Sequence, residues 1–183
     1  MADQRGFYEN DPNRAAPMLG KEYGGGVHMR VADLERTQTL KTAMTPIQGI
    51  GAGVAYAAED AVGVPTGIVV PDRGIIMGAL SYDTDDNELD FSILLFESAI
   101  TPTDDNSAFL LAANDIPKLM GVITMDTFKS INGDVLGQVS NVNIPYSAPN
   151  KTLVMQVVTN GSPNFSAGTG LWVGLQIWTR SVL

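Results

Sequence analysis

The chain has 183 residues, of which 44% are hydrophobic, and this is enough to bury the core of one main domain. Its formal net charge is −9, from 20 acidic and 11 basic residues, which argues against nucleic acid and anionic membranes as partners because both favour clustered Lys and Arg. The lack of cysteine excludes disulfides, thiol catalysis and cysteine-ligated zinc. No window approaches the roughly 20 apolar residues of a membrane span, and the N-terminal sequence does not follow the order of a secretory signal.

The first 38 residues have the composition of an extended arm. They contain two prolines, a run of three glycines and isolated apolar residues without a sustained period. Residues 1–45 have no net charge, whereas the remaining 138 carry all nine net negative charges. An arm with spaced aromatics and charges of both signs can order along a partner. We therefore predict a partner-binding arm at residues 1–38 and a β-sandwich domain at residues 39–183. The arm residues predicted to contact the partner are Phe7, Tyr8, Arg14, Tyr23 and Arg30.

No reacting group is evident in this arm. His28 is the only histidine and lies in the stretch GGGVHMR, where no nucleophile or orienting acid is held beside it. We interpret it as a surface or interface residue. The preceding run Gly24–Gly26 lacks the Gly-Lys-Ser/Thr ending of a phosphate loop, so we interpret it as a source of flexibility.

From residue 39 onward the pattern is typical of β-structure, because short apolar runs alternate with clusters of Gly, Pro, Asn and Asp. No alternation of strands with helices appears, which argues against a doubly wound fold. Pro65 and Pro71 bracket one short strand and favour an edge position. The predicted strands are 40–44, 50–57, 67–70, 74–83, 89–97, 121–126, 135–146, 151–159 and 170–179.

Two acidic stretches raise the question of a metal or catalytic site. YDTDDNELD, residues 82–90, has Glu88 where a calcium loop of the EF-hand type counted from Asp83 needs glycine. We interpret it as a solvated hairpin tip, and an irregular calcium site is the alternative left open. In TDDNSAF, residues 103–109, Asp104, Asp105 and Asn106 can bond their own backbone, so we interpret them as turn formers, again with calcium as the alternative.

Paired carboxylates also hydrolyse glycosides, but such enzymes need a cleft lined with aromatic side chains. Only 7% of the residues are aromatic, and both tryptophans lie on one predicted strand. We therefore predict neither a catalytic residue nor a cofactor or metal site.

One short helix is predicted in LAANDIPKLMGV, residues 111–122. Asn114 or Asp115 can cap it, Pro117 suits its first turn, and Gly121 can end it in a left-handed conformation. We expect two turns at most, which would plug one open end of the sandwich.

The last predicted strand alternates clearly between two faces. Its aliphatic face carries Leu171, Val173, Leu175 and Ile177, and its other face carries Trp172, Gly174, Gln176 and Trp178. If the aliphatic face packs in the core, the tryptophan face needs a cover, either from a neighbouring subunit or from a further layer of this chain. We predict an oligomer interface at Trp172, Gln176 and Trp178.

Two stretches carry a resemblance to a known group of proteins. They are LDFSILLFESAITPTDDNSAFLLAANDIPKLMGVITMDTF and NIPYSAPNKTLVMQVVTNGSPNFSAGTGLWVGLQIW. They resemble small structural proteins of tailed bacteriophages, including capsid cement (decoration) proteins. The shared pattern consists of strands and turns and carries no catalytic motif; it covers about residues 67–180. The matching residues are Asp90, Phe91 to Phe96, Asp105-Asn106, Ala108-Phe109, Asp115 to Met120, Gly121-Val122, and Leu171, Val173 and Leu175.

The resemblance implies a mainly β protein with a jelly-roll-like antiparallel β-sandwich, to which the residue pattern adds one short helix and the composition adds an extended N-terminal arm. It further implies a homotrimer that binds the major capsid protein on the outside of the virion, made in the host cytoplasm, and not an enzyme. The arm itself matches nothing in the family, so its role is inferred from composition alone. The alternatives are a tail, baseplate or fibre component and, less favoured, a glycan-acting enzyme.

Overall fold

The computed structural model describes residues 36–85, 90–166, 168 and 170–181. The predicted arm contacts, His28 and Gly24–Gly26 lie outside the described residues. The residues Thr39–Thr179 form one compact unit. The strands are β1 (Arg36–Lys41), β2 (Thr45–Pro46), β3 (Val54–Ala55), β4 (Ala61–Val69), β5 (Arg73–Asp83), β6 (Phe91–Phe96), β7 (Leu119–Met125), β8 (Phe128–Ile131), β9 (Asp134–Ser147), β10 (Thr152–Thr159), β11 (Asn164–Phe165) and β12 (Leu171–Ser181).

These strands form two main antiparallel sheets, which confirms the predicted β-sandwich. The larger sheet has the order β1-β12-β5-β9-β8, and β2 also pairs with β12. The smaller sheet has the order β4-β10-β6-β7, while β3 and β11 form a separate two-stranded ribbon. Every pairing whose register is described is antiparallel. β4, which contains Pro65, is an edge strand, as the missing amide hydrogen of proline requires.

The core lies between the two sheets and takes alternate residues from each strand. From the larger sheet, the aliphatic face predicted for the last strand is buried, together with Ile76 and Ala79. The smaller sheet contributes Ile68, Ile93, Leu95, Ile123, Met125, Leu153, Met155 and Val157. Because strand residues alternate between faces, this burial directs the even-numbered residues of β12 to the outside of the larger sheet.

One predicted strand is wrong, and the short strands β2, β8 and β11 were missed. Of residues 50–57 only Val54–Ala55 are extended, because Gly49 and Gly53 take positive φ angles of 77° and 68° that turn the chain. The missed strand β8 is joined to β9 by Asn132 and Gly133, with φ angles of 58° and 90°. Asn-Gly with both residues left-handed is a preferred two-residue hairpin turn.

The predicted helix is a single 3-10 turn, Ile116–Lys118. Leu119 is already extended and begins β7, so Gly121 lies inside that strand and does not end the helix. The turn contains no buried residue, and the expectation that it plugs the sandwich is therefore wrong. Asp115 makes no side-chain cap, because its carboxylate accepts hydrogen bonds from the Thr101 amide and the Lys118 ammonium, both at 2.8 Å.

The acidic segment after β5 is not a hairpin tip, since β5 and β6 belong to different sheets. The chain crosses from one layer of the sandwich to the other there, so the hairpin interpretation of residues 82–90 is wrong. Asp83 at the end of β5 is buried, with 5% of its surface exposed, and its Oδ1 accepts a hydrogen bond from the Asp85 amide at 2.8 Å.

Candidate binding surface

The outer face of the larger sheet carries a continuous cross-strand row of large side chains. Trp172 on β12 pairs with Tyr82 on β5, Tyr82 pairs with Leu136 on β9, and Leu136 pairs with Lys129 on β8. Pro46 on β2 extends the row beyond Trp172. Directly paired residues on one face lie close enough for their side chains to touch. The row therefore forms one apolar band across the sheet, ending in a lysine.

A groove with a volume of about 720 Å³ opens over this band. Its lining is mostly apolar, and Leu136 and Ile131 have 44% and 47% of their surface exposed. The residues that line it are Lys41, Met44, Leu80, Ser81, Tyr82, Thr127, Phe128, Lys129, Ile131, Leu136, Gly137, Gln138 and Trp172. Exposed apolar surface of this extent, bordered by polar groups, is typical of a binding site for another molecule.

Small residues shape the floor of the groove. A side chain at Gly174 would meet the Met44 sulfur at 2.7 Å, so the missing Cβ lets Met44 lie over β12. Gly137 likewise leaves room for the ring of Phe128, which tilts against Phe91 with ring centroids 6.0 Å apart. Phe128 therefore belongs both to the groove wall and to the packing against the core, so the packing of the sandwich determines the shape of the groove.

Among the described residues, the charged groups that line the groove are two cations, and the Asp134 carboxylate lies beside the lining without belonging to it. Lys41 and Lys129 line it and are both exposed. Asp134 orients the Tyr82 side chain, because the Tyr82 hydroxyl donates a hydrogen bond to Asp134 Oδ2 at 2.8 Å. That hydrogen bond is the main reason why the pKa of Tyr82 is raised above its usual value. Tyr82 therefore stays a neutral hydrogen-bonding group at physiological pH.

The three residues predicted for an oligomer interface all lie on this outer face, but only one of them lines the groove. Trp172 lines the groove, whereas Gln176 and Trp178 follow along β12 beyond its lining. Trp172 and Gln176 are half-buried, and Trp178 has 43% of its surface exposed. Their assignment to an interface stays a prediction. The sequence did not reveal the part of the band on β8 and β9, although Asn132-Gly133 was the signal that could have placed Lys129 opposite Leu136.

A polar cluster outside the groove centres on Asp105. Its carboxylate accepts the Tyr56 hydroxyl at 2.7 and 2.9 Å, the Gly51 amide at 2.8 Å and the Gly63 amide at 2.5 Å. Burial raises the pKa of Tyr56 above its usual value, and Asp105 raises it further. The three donors all reach this one carboxylate, so the cluster ties the loop before β4 and the loop after β6 to the strand β4. The turn-former interpretation is too narrow for Asp105, whose bonds reach residues more than 40 positions away.

Asn106, in contrast to Asp105, acts as the turn former that the sequence predicted. It has a φ angle of 56°, which only a few residue types tolerate. With its amide nitrogen placed toward acceptors, the side chain donates to the Ala55 carbonyl and to Asp60 Oδ2, each at 3.2 Å. Gly63 is constrained for another reason, because a Cβ there would meet the Gln48 carbonyl oxygen at 2.2 Å. The loop over β4 thus depends on two special backbone positions.

Among the described residues, no group of three or more His, Asp or Glu side chains is placed to hold a metal ion. Asp83 and Asp85 of the acidic segment belong to the described residues, whereas residues 86–89 do not. Ser166 donates a hydrogen bond to Asp85 Oδ1. Within the same described part, no helix is both long and apolar enough to cross a membrane.

Comparison of the chain with models of known protein families finds no match. Comparison with curated protein sequences finds no match either.

Proposed function

We propose that this chain is a structural protein of a bacteriophage virion, a capsid cement protein that binds the outer surface of the shell and stabilises it by bridging capsomers. The observation that carries the proposal is the apolar band Trp172, Tyr82 and Leu136 on the outside of a rigid sandwich. A protein that acts by binding needs such a surface and needs no reacting group. The resemblance of residues 67–180 to phage structural proteins supports the virion as its place of action.

The distribution of charge supports the same role. The residues Thr39–Thr179 contain 14 acidic and five basic side chains, a net charge of 5 − 14 = −9. A strongly acidic exterior keeps particles soluble and mutually repelling. Residues 1–38, which have nearly balanced charge, are the segment we assign to anchoring on the major capsid protein, through Phe7, Tyr8, Arg14, Tyr23 and Arg30. Self-association as a homotrimer would use the part of the outer face beyond the groove, with the half-buried Gln176 and the exposed Trp178.

The second candidate is a tail, baseplate or fibre component, since such proteins also act by binding through rigid β-bodies. Copy number distinguishes the two. Quantitative mass spectrometry of purified particles gives hundreds of copies per particle for a cement protein and a handful to tens for a tail part. A copy number in the tens would transfer the proposal to the tail.

The third class, a glycan-acting enzyme, is tested by incubating the purified chain with host polysaccharides. We expect no shortening of the glycans. Degradation that disappears on substitution of Asp105 or Asp60 in a folded protein would overturn the binding-only account.

A further inference from the structure

We propose that the outer groove is the docking site for an extended peptide segment of a partner protein, apolar in its middle and carrying a carboxylate toward each end. The inference rests on the proposed function, because it describes the chemistry of the partner segment that the same surface binds.

The direction of the groove sets the length of its ligand. Its lining includes Lys41 on β1 and Lys129 on β8, which are the two edge strands of the larger sheet. The order β1-β12-β5-β9-β8 places four inter-strand steps between them, about 19 Å at about 4.8 Å for each step. An extended peptide advances about 3.3 Å for each residue, so about six residues cross the sheet.

The shape of the groove selects an extended segment. A volume of about 720 Å³ is in the range of sites for compact ligands and is far too small to seat a folded domain. The floor presents Trp172, Tyr82 and Leu136 side by side on three adjacent strands. Apolar side chains from one face of an extended peptide would remove this surface from water, at about 25 cal/mol for each Å² of apolar area.

The charge of the groove selects carboxylates at the ends of that segment. Only five cations belong to Thr39–Thr179, against 14 carboxylates. Arg73 pairs with Asp72 at 3.6 Å and Lys118 with Asp115 at 2.8 Å. In contrast, none of the carboxylates that the structure describes forms an ion pair with Lys41 or Lys129. Two of the three remaining cations of an acidic body therefore lie at opposite ends of one apolar groove.

The same charges argue against a second copy bound face to face. A twofold contact places the same patch of each subunit against the other, so it would bring cationic groove ends together over the shared apolar band. The complementary ligand is instead acidic at its ends. Gln138, exposed in the lining, is available to bond the peptide backbone.

The test uses the full chain and two capped hexapeptides, Asp-Leu-Thr-Val-Leu-Asp and the matched Lys-Leu-Thr-Val-Leu-Lys, with binding measured by calorimetry. We expect the acidic peptide to bind about tenfold more tightly, because two exposed ion pairs replace two like-charge contacts. The double variant Lys41→Glu with Lys129→Glu should reverse this preference. Lys151→Glu, an exposed charge change outside the groove, should leave it unchanged.

A second variant tests the apolar floor. Leu136→Asn, at a position already 44% exposed, should leave the fold intact and reduce binding of the acidic peptide by at least about tenfold without changing the charge of the groove. Equal binding of the two peptides, or unchanged binding by Leu136→Asn, would overturn the proposal. Tighter peptide binding after removal of residues 1–35 would also overturn it, and so would loss of peptide binding as the chain self-associates. Either result would show that the groove binds a part of the chain itself.

The peptide-binding test can fail or succeed independently of a test of capsid binding. If the protein binds capsids but neither peptide, the groove proposal fails and the cement role stands. If the acidic peptide binds with the expected preference but capsids are not bound, the groove proposal stands and the cement role fails.

Discussion

The Tyr56 hydroxyl donates to both carboxylate oxygens of Asp105, at 2.7 and 2.9 Å, across 49 positions of sequence. The same carboxylate accepts the amides of Gly51 and Gly63. A side chain in a surface turn thus joins the loop before β4, the strand β4 itself and the loop after β6. This hydrogen-bonded junction therefore holds the two loops in place on the sandwich.

The junction predicts a large difference between two adjacent acidic residues. Asp105→Ala leaves one hydroxyl and two amides without their acceptor, so we expect it to lower the free energy of unfolding by about 3 kcal/mol. Asp104→Ala, at an exposed position, should change it by less than about 0.5 kcal/mol. Denaturant unfolding of both variants measures the difference. Equal effects would show that the two residues act alike as turn formers.

A double-mutant cycle isolates the Tyr56 contribution. Tyr56→Phe should cost about 1 kcal/mol, since it removes one donor while Asp105 keeps two amides. In the Asp105→Ala background the same change should cost less, because the hydroxyl has already lost its acceptor. Additive effects would contradict a direct bond between the two side chains.

Asn106 separates backbone strain from side-chain bonding. Asn106→Gly keeps the positive φ angle of 56° accessible but loses the side-chain bonds, whereas Asn106→Ala loses both. We expect Asn106→Ala to be the less stable of the two variants by about 1 kcal/mol, with no loss of a catalytic function. Thermal unfolding measures this order. If alanine proved more stable than glycine, the strain at this position would be negligible.

Stability should fall at low pH through Asp115. The Lys118 ammonium is the main cause that lowers the pKa of Asp115 in the folded chain. A folded-state pKa below the unfolded one gives stability that is complete above about pH 4 and is lost as the pH falls through the folded value. Unfolding curves at pH 6 to pH 2 should therefore show the wild type losing its advantage over Asp115→Asn. A constant difference between the two proteins across this range would exclude the pairing.

Sequence reasoning succeeded where one period extended over a long strand. β12 alternates without interruption, because the bulge in its pairing with β5 falls at Met77 on β5, so both its core face and its tryptophan face were predictable. It failed where the backbone depends on distant partners. The stretch 50–57 is apolar enough for a strand, yet Gly51 is bound to Asp105 and Gly53 bonds the Phe165 carbonyl at 2.6 Å.

The candidate groove was only half predictable for a related reason. Trp172 was visible from the alternation of β12, but its neighbours Tyr82 and Leu136 come from strands whose pairing is set by the whole sheet. Register between strands distant in sequence depends on tertiary packing and cannot be read from one segment. The local signal that was available, Asn132-Gly133, fixes only the hairpin of β8 and β9.

The N-terminal segment offers a separable prediction. Deleting residues 1–35 keeps β1 and the whole body Thr39–Thr179, so the variant should fold and retain its oligomeric state. We expect it to lose binding to capsids. Co-sedimentation with capsids, after light scattering has established mass and shape, measures both properties. Full capsid binding by the shortened chain would refute the anchoring role assigned to the predicted arm.

The most direct test of the central claim is to add the purified full chain to particles that lack it and to count the copies bound while recording shell stability. The account predicts saturation at hundreds of copies per particle and a higher temperature of genome release. Shells that bind no protein and release their genome at an unchanged temperature would contradict it.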